Sequence, residues 1–460
     1  MRSTVRDAFD VVVLGGGSGG YATALRAAQL GLDVALVEKD KIGGTCLHQG
    51  CIPTKALLHA AEVADQVREA AALGVRATIE GIDLAAVHAA KDAVVGRLFK
   101  GLEGLVGAAG RITRVEGEGR LADARTVEVA GVRYTGANIV LATGSVPRTL
   151  PGVEIGGRVL TSAEALTLAK VPESVVVIGG SVIGVEFASL WRSFGARVTV
   201  VEAAGSLVPA EDPTISRQLE RAFRRRKIGF RTGAVVTAVE QHADAATVIL
   251  ADGEKLHADH VLMAVGRGPN TAGLGLAEAG VDLDQGWVRT DRWLATGVPG
   301  VHAVGDLVRG PQLAHRGFAH GIFVAERIAG LDPDPVADTD IPRVTYCDPE
   351  IVSVGLTEPQ AVEEYGAAET SESHLGGNGR SQILRTAGVV KLVRRPGGAI
   401  VGVHMIGARL GEQAGEAALI VKAGLTPEYL SGLVHAHPTQ NEALGEAALS
   451  LAGKPLHAHA

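Results

Sequence analysis

Two stretches of this chain repeat one another at a spacing of 164 residues. Residues 11–20 read VVVLGGGSGG and residues 175–184 read VVVIGGSVIG. In each copy a short aliphatic strand leads into a glycine turn and an amphipathic helix, and a second strand ends in an acid, Glu38 or Glu202. The pattern predicts two βαβ units of the type that binds dinucleotides; the alternative is two glycine turns that bind no nucleotide.

Each glycine of such a turn has its own physical task. The first makes the tight turn, the second lets the backbone approach a pyrophosphate, and the third lets the helix pack on the strand. The helix N-terminus offers unpaired N–H groups to the anion. The acid lies 18 residues after the last glycine in both copies, where it can accept hydrogen bonds from a ribose. The glycines concerned are Gly15, Gly17 and Gly20 in the first copy and Gly179 and Gly184 in the second.

The second copy departs from the pattern, because Ser181 stands where the middle glycine belongs. We expect its side chain to crowd the pyrophosphate or, if φ is positive, to add roughly 1 kcal/mol of strain. Replacing Ser181 by glycine should therefore tighten binding of the nicotinamide cofactor.

Glu202 indicates which nicotinamide cofactor the second copy prefers. A carboxylate suits a free 2′-hydroxyl and repels a 2′-phosphate. The segment from Val198 to Glu211 contains no Arg or Lys that could receive a phosphate. The sequence therefore favours NAD over NADP.

A pair of cysteines lies between the two copies, in the segment GGTCLHQGCIPTK of residues 43–55. Cys46 and Cys51 are separated by four residues, which is not a zinc-ribbon spacing. A helix is predicted to follow over residues 56–69, and its dipole should lower the thiolate pKa. The pair is typical of a redox-active dithiol; the alternative is two inert buried thiols.

Composition excludes several classes of protein. The 460 residues suggest three domains, and 44 basic against 51 acidic residues give a net charge of −7, so neither nucleic acid nor an anionic membrane is an expected partner. No apolar run is long enough to span a bilayer. Only three cysteines are present, which favours a reducing, cytoplasmic compartment, and Cys347 is expected to be a small buried hydrophobe. The tail histidines His457 and His459 are expected to be solvated, and no metal site is predicted.

The cysteine segment, coming after a first dinucleotide unit, resembles the pyridine nucleotide-disulfide oxidoreductases. Further motifs of that family follow in order, and the similarity extends from Phe9 to about Leu456. These motifs are Ala142–Ser145, Gly266–Asn270, Val304–Asp306, Leu313–His315, Pro349–Leu356 and His435–Glu442. One position departs from the family, since His320 stands where many members carry an acid.

The resemblance implies α/β architecture with two Rossmann-like domains, for FAD and NAD, and a C-terminal α+β dimerisation domain. The implied boundaries are residues 1–150 and 271–340 for the FAD-binding domain, 151–270 for the NAD-binding domain and 341–460 for the interface domain. In this family the catalytic base of one subunit serves the disulfide of the other. The resemblance therefore implies a homodimer whose isolated subunits are inactive.

The resemblance also assigns roles to residues. Cys46 would exchange with substrate, Cys51 would lie against the flavin, Lys55 and Glu186 would pair near the flavin, and His437 with Glu442 would form the catalytic dyad. Chemistry supports the dyad, because a dithiol must lose protons to attack a disulfide and histidine can take them near neutral pH. The implied FAD residues are Gly15, Gly17, Gly20, Glu38, Thr45, Lys55, Thr143, Gly144, Asp306 and Ala314. The implied NAD residues are Gly179, Gly184, Glu186, Glu202 and Gly266.

Within the family, the chain is most similar to the members that oxidise dihydrolipoamide. The implied partners are the lipoyl carrier domains of 2-oxoacid dehydrogenase complexes or of the glycine cleavage system. Three alternatives stay open at this stage: a flavin disulfide reductase for glutathione, mercuric ion or another thiol, a quinone or dye reductase, and a non-catalytic nucleotide-binding partner. Glu202 argues against an NADPH-dependent glutathione reductase, and the C-terminus lacks the extra cysteine pair of mercuric reductases.

Overall fold

The computed structural model describes residues 5–457, and both helices and strands occur in each third of the chain. The helices in this range are α1 (Ser18–Gln29), α2 (Gly44–Gln49), α3 (Cys51–Glu69), α4 (Leu84–Ala108), α5 (Ser162–Ala165), α6 (Val182–Phe194), α7 (Pro213–Arg225), α8 (Ala314–Ile328), α9 (Glu358–Tyr365), α10 (Gly379–Ile383), α11 (Ala414–Lys422), α12 (Pro427–Leu430) and α13 (Glu442–Leu451).

The strands in the same range, in chain order, are β1 (Val5–Leu14), β2 (Val34–Glu38), β3 (Ile112–Glu116), β4 (Gly119–Asp123), β5 (Thr126–Val129), β6 (Val132–Leu141), β7 (Ser145–Pro147), β8 (Val159–Leu160), β9 (Ser174–Ile178), β10 (Arg197–Val201), β11 (Gly229–Arg231), β12 (Val236–Gln241), β13 (Ala246–Leu250), β14 (Lys255–Ala258), β15 (His260–Met263), β16 (Arg267–Pro269), β17 (Leu283–Asp284), β18 (Trp287–Val288), β19 (Val301–Ala303), β20 (Arg343–Thr345), β21 (Glu350–Gly355), β22 (Glu369–His374), β23 (Val389–Arg394) and β24 (Ile400–Gly407).

The chain divides into two compact units, and the first contains residues up to 56, 85–148 and 267–338. Its main sheet has the order β3-β2-β1-β6-β5-β4, and β19 also pairs with β6. The pairs among β3, β2, β1, β6 and β19 are parallel, whereas β4, β5 and β6 form an antiparallel edge. Val11, Val12 and Val13 are fully buried, as expected for a central parallel strand covered on both faces. Helix α8 packs on α1 beside this sheet.

The second unit contains residues 57–84, 149–266 and from 339 onward. Its first part repeats the dinucleotide architecture in a parallel sheet of order β11-β10-β9-β15-β8, with a separate antiparallel sheet of β12, β13 and β14. The register of β9 on β10 pairs Val175 with Val198 and Ile178 with Val201. The repeat in the sequence is therefore a repeat in the fold.

The last part of the second unit has a different architecture. Its antiparallel sheet has the order β20-β21-β24-β23-β22, and α11 and α13 pack on it. A core of residues such as Val403, Met405 and Leu444 is fully buried between sheet and helices. The predicted α/β class with a C-terminal α+β part is confirmed. The three-domain boundaries given above stay a prediction.

The helix predicted after the cysteine pair begins earlier than expected and ends where expected. The helix expected over residues 56–69 begins at Cys51, because Pro53 in a first helical turn removes only an N–H that has no partner within the helix.

Candidate functional site

The first glycine turn, between β1 and α1, has no room for a side chain at two positions. Gly15 has a φ of +105°, and a Cβ there would lie 2.4 Å from the carbonyl oxygen of Ala142. A Cβ on Gly20 would lie 1.8 Å from the carbonyl oxygen of Gly15. Gly17 is extended and precedes α1, and an added Cβ there would meet Gly44 only at 3.9 Å. The turn thus leaves the N-terminus of α1 open, as the pyrophosphate of a dinucleotide requires.

The acid of each repeat holds its own glycine turn. Glu38 accepts the N–H of Gly16 at 2.6 Å, and Glu202 accepts the N–H of Gly180 at the same 2.6 Å. Each acid also accepts the N–H two residues ahead of it, at 2.9 Å and 2.8 Å. A carboxylate has about four lone-pair positions, so both acids can accept further hydrogen bonds from a ribose. The residues present therefore fit FAD at the first turn and a nicotinamide dinucleotide at the second.

The second glycine turn reproduces the crowding of the first. Gly179 has a φ of +107°, and a Cβ there would lie 2.2 Å from the carbonyl oxygen of Ala264. A Cβ on Gly184 would lie 1.9 Å from the carbonyl oxygen of Gly179. Gly266, which follows strand β15, has a φ of +102°. The glycines predicted to shape this turn are thus held in backbone positions that disfavour other residues.

Ser181 does not strain the second turn. Its φ of −88° and ψ of −169° are close to the −70° and −172° of Gly17, its counterpart in the first turn. This is extended backbone that any residue adopts, so the condition for backbone strain, a positive φ, is not met. The Ser181 side chain is exposed at the start of α6. We still predict that it crowds a bound pyrophosphate.

Cys46 and Cys51 are in contact at the junction of two helices. Cys46 belongs to α2 and Cys51 begins α3, and Gly50 separates the helices. The hydrogen bond with Cys51, followed by burial, raises the pKa of Cys46, although the nearby Lys55 ammonium acts in the opposite direction. The expected lowering of a thiolate pKa by the helix dipole was therefore wrong for Cys46. Because the two sulfurs share a proton, loss of the first proton makes loss of the second unfavourable.

Asp306 is the centre of a network within the same unit. The Ser145 hydroxyl donates to Asp306 at 2.7 Å, and Arg267 donates to the Ser145 hydroxyl at 2.8 Å and to the Ser145 carbonyl at 2.7 Å. Burial lowers the pKa of Arg267, and the charges of Asp306 and Cys51 oppose this shift. Sequence reasoning overlooked Ser145 and Arg267 as individual residues, although both stand inside family motifs.

Thr143 and Gly144, predicted to lie along the flavin, are fixed by the segment that follows β16. The Thr143 hydroxyl donates to the carbonyl of Asn270 at 2.7 Å, and the Asn270 N–H donates to the carbonyl of Gly144 at 2.9 Å. Asn270 thus holds the two residues that precede Ser145.

His437 and Glu442 form a hydrogen-bonded pair. Nδ1 of His437 lies 2.7 Å from Oε1 of Glu442, and Oε2 of Glu442 accepts the N–H of Thr439 at 2.8 Å. Burial raises the pKa of Glu442, but the hydrogen bonds from His437 and Thr439 outweigh it and lower the pKa. The imidazole itself is exposed, with 78% of its side-chain surface accessible. The imidazole can therefore accept a proton from a group that approaches from solvent.

Comparison with known proteins identifies the family. Residues 9–321 match the pyridine nucleotide-disulphide oxidoreductases, and residues 341–448 match the dimerisation domain of these enzymes. The chain belongs to the pyridine nucleotide-disulphide oxidoreductase family. A dihydrolipoyl dehydrogenase of Bacillus subtilis is 39% identical over 98% of this chain and 99% of that protein. The structure of LpdA from Mycobacterium tuberculosis has a TM-score of 0.88 and 28% identity over 96% of this chain and 99% of that one. The flavoprotein disulfide reductase RclA from Escherichia coli has a TM-score of 0.85 and 26% identity over 95% and 99%.

Membership in this oxidoreductase family confirms the predicted enzyme class and the predicted cofactors, FAD and NAD. The dimerisation domain accounts for residues 341–448. Two further residues are predicted to contact FAD. Thr45 is exposed on α2, and Ala314 is the first residue of α8. Glu186 is buried in α6 and accepts the N–H of Tyr346 at 2.9 Å. Its pairing with Lys55, which lies in the other unit, stays a prediction.

The histidines near the C-terminus that are described form pairs with nearby acids. His435 pairs with Glu416 at 3.1 Å and His457 pairs with Glu446 at 2.8 Å, whereas His459 lies outside the described residues. Among residues 5–457, no three His, Cys, Asp or Glu side chains are grouped so that they could hold a metal ion. Each helix in that part of the chain is too short or too polar to cross a lipid bilayer.

Proposed function

We propose that this chain is a dihydrolipoyl dehydrogenase, which reoxidises protein-bound dihydrolipoamide with NAD⁺. The observation that carries the proposal is the contact between Cys46 and Cys51 at the start of α3, with the Lys55 ammonium close enough to act on the Cys46 pKa. Two sulfurs in contact can form and break a disulfide, which is the chemistry that a dithiol substrate needs. The name of the Bacillus subtilis relative supports the same substrate.

The residues that would hold FAD lie in the first unit. The open N-terminus of α1 and its glycine turn would receive the pyrophosphate, Glu38 the adenosine ribose and Asp306 the ribityl chain. When bound, FAD supplies the two-electron transfer that links the enzyme dithiol to NAD⁺. Ser145 and Arg267 would keep the Asp306 carboxylate in place.

The thiol chemistry falls to this chain's own side chains. His437 takes a proton from the substrate dithiol, and the resulting thiolate attacks Sγ of Cys46 in the oxidised enzyme. The Cys46–Cys51 bond breaks, and Cys51 leaves as the thiolate. The second substrate thiol then displaces Cys46 and its proton passes to the Cys46 sulfur, which leaves as a thiol, and the substrate departs as a cyclic disulfide. Glu442 holds the imidazole in place through a hydrogen bond to Nδ1.

The second glycine turn would bind NAD⁺. Glu202 would accept hydrogen bonds from the adenosine ribose and repel a 2′-phosphate, while Gly179 and Gly184 allow the pyrophosphate to approach. The proposal therefore includes a preference for NAD⁺ over NADP⁺.

The proposal includes the partners as well. The chain would act as a homodimer in which His437 of one subunit serves the cysteine pair of the other, and its substrates would be lipoyl carrier domains of 2-oxoacid dehydrogenase complexes or of the glycine cleavage system. The exposure of His437 supports a base that acts outside its own unit. The chain contains only three cysteines, which supports a reducing, cytoplasmic location.

The test is NAD⁺ reduction by dihydrolipoamide under anaerobic conditions, followed as NADH absorbance. We expect turnover in the wild type and a loss of at least about 10³-fold in Cys46→Ala and in Cys51→Ala, because each removes a sulfur that forms bonds. Cys347→Ala is the matched control, since Cys347 is a buried thiol that donates to the carbonyl of Pro349, and it should keep its activity. Faster reduction of glutathione disulfide with NADPH, or full activity in Cys51→Ala, would contradict the proposal.

A further inference from the structure

A histidine is buried on helix α8 with its ring directed at the turn that carries Asp306. His320 is 2% exposed, and its Nδ1 accepts the N–H of Gly305 at 3.3 Å. A nitrogen that accepts a hydrogen bond carries no proton, so the proton of the neutral ring lies on Nε2. The neighbour of Gly305 in the chain is Asp306, whose carboxylate accepts the Ser145 hydroxyl.

Both backbone groups of Gly305 are held from α8. Besides the N–H bound by His320, the Gly305 carbonyl accepts the Arg316 guanidinium at 3.3 Å. Arg316 is itself buried and is fixed by Asp338 at 2.6 Å. Gly305 has a φ of +69°. Because glycine has no Cβ, it can adopt many other backbone conformations unless neighbouring groups restrain it. The two contacts from α8 therefore set the direction in which the Asp306 side chain leaves the turn.

Helix α8 also packs closely against the N-terminal turn of α1. A Cβ on Gly321 would lie 2.4 Å from the carbonyl oxygen of Gly19, and a Cβ on Gly317 would lie 2.8 Å from the Ser18 hydroxyl. Helix α8 thus approaches the N-terminal turn of α1 through its glycines and the Gly305 turn through His320. It connects the proposed pyrophosphate position with the proposed ribityl position.

The His320 ring stays neutral near neutral pH, so Nδ1 remains a hydrogen-bond acceptor. Burial, followed by the charge of Arg316, lowers the pKa of His320 to about 3. Protonation of Nδ1 would place two donors, the ring and the Gly305 N–H, against each other.

We propose that His320 is a positioning residue for the flavin: it fixes Gly305 and thereby aims the Asp306 carboxylate. This inference rests on the proposed function, in which Asp306 binds the ribityl chain of FAD. It predicts that the contribution of His320 to FAD affinity passes through Asp306.

The test is the FAD dissociation constant of the full-length protein, measured by flavin fluorescence on dilution of the holoenzyme. His320→Leu removes the acceptor at similar volume, and it should weaken FAD binding about 3- to 10-fold, the range expected for one hydrogen bond. His320→Asn places a carbonyl oxygen near the position of Nδ1 and should stay within about twofold of the wild type. Ile322→Ala, an exposed position on the same helix, is the control and should leave FAD binding unchanged.

A double-variant cycle distinguishes positioning from general stabilisation. In an Asp306→Ala background, His320→Leu should cause no further loss of FAD affinity, because the residue through which it acts is gone. Independent, additive effects would overturn the inference, as would unchanged FAD affinity in His320→Leu while Asp306→Ala weakens it. Unchanged FAD affinity in Asp306→Ala itself would overturn the proposed role of Asp306 and, with it, the route assigned to His320. Circular dichroism and thermal unfolding of each variant verify that the protein remains folded.

Discussion

Nδ1 of His437 lies 2.7 Å from Oε1 of Glu442. Since the pKa of Glu442 is lowered, its carboxylate is ionised near neutral pH and Nδ1 must donate to it. The opposite nitrogen, Nε2, is then the one that carries a lone pair. The pair therefore fixes the tautomer that can accept a proton from a thiol.

Replacing Glu442 by glutamine should lower activity. The carboxylate holds the imidazole in the tautomer that accepts a proton at Nε2, so its loss should reduce kcat/KM about 10- to 100-fold. The measurement is kcat/KM for dihydrolipoamide oxidation. His457, which makes a similar 2.8 Å pair with Glu446, offers the matched control, because His457→Gln should leave kcat/KM unchanged. An unchanged kcat/KM in Glu442→Gln would contradict the role of the dyad.

Glu202 should set the choice between NAD⁺ and NADP⁺. Glu202→Gln removes the charge that repels a 2′-phosphate while keeping an oxygen for the Gly180 N–H, so the ratio of kcat/KM for NAD⁺ over NADP⁺ should fall at least about tenfold. Glu240→Gln, an exposed acid on β12, should leave the ratio as it is. If the ratio is unchanged in Glu202→Gln, this carboxylate does not determine the preference.

Ser181→Gly should tighten NAD⁺ binding only modestly. The backbone at Ser181 already matches Gly17, so the gain comes from relieving side-chain crowding, and we expect a dissociation constant about two- to threefold lower. The thermal midpoint should hardly change, because replacing a serine N-cap by glycine costs only a few tenths of a kcal/mol. An unchanged or weaker dissociation constant would show that Ser181 is no handicap.

Lys391 and Asp212 form a buried ion pair at 2.9 Å, with 3% and 0% of their side chains exposed. Lys391→Met should lower the free energy of unfolding by about 3 kcal/mol, because Asp212 would keep a buried charge without its cation. The double variant Lys391→Met/Asp212→Asn should be less destabilised than the single one. Arg289→Met breaks an exposed pair with Asp282 and should cost less than about 1 kcal/mol. Urea unfolding of the wild type and of these three variants gives the free energies, and a double variant no more stable than Lys391→Met would contradict this account.

The same pair gives a pH prediction. Burial raises the pKa of Asp212, but hydrogen bonds from the Glu358 N–H, Lys391 and the Thr214 N–H outweigh it and lower the pKa. A carboxyl whose pKa is lowered by folding adds stability above its unfolded pKa of about 3.9, and that stability is lost as the pH falls through the folded value. In Lys391→Met the folded pKa should rise, so acid unfolding should begin at a higher pH than in the wild type.

The positions of the two glycine turns could be predicted from the sequence, because only glycine fits where a Cβ would collide with the backbone. Gly15, Gly20 and their counterparts stand where a Cβ would collide with a carbonyl oxygen, so local spacing was enough to predict both turns. The acids Glu38 and Glu202 are fixed by the same short repeat. The contact of Cys46 with Cys51 follows from four intervening residues and a helix start.

The sequence could not predict relationships between distant segments. The hydrogen bonds of Ser145 with Asp306 and with Arg267 join residues 161 and 122 positions apart, and no spacing in the chain encodes that network. The φ of Ser181 and the direction of the Cys46 pKa shift depend on backbone geometry and on a neighbouring sulfur. The role proposed for His320 likewise depends on a turn 15 residues before it in the chain.

The most direct test of the account is activity in a hybrid dimer of two differently tagged chains, one carrying Cys46→Ala and the other His437→Gln. Each homodimer should lose activity by at least about 10²-fold, because every site lacks its sulfur or its base. If the base of one subunit serves the cysteine pair of the other, the purified hybrid contains one complete site and should show about half of the wild-type rate of NAD⁺ reduction by dihydrolipoamide. A hybrid as inactive as the two homodimers would contradict a site shared between subunits.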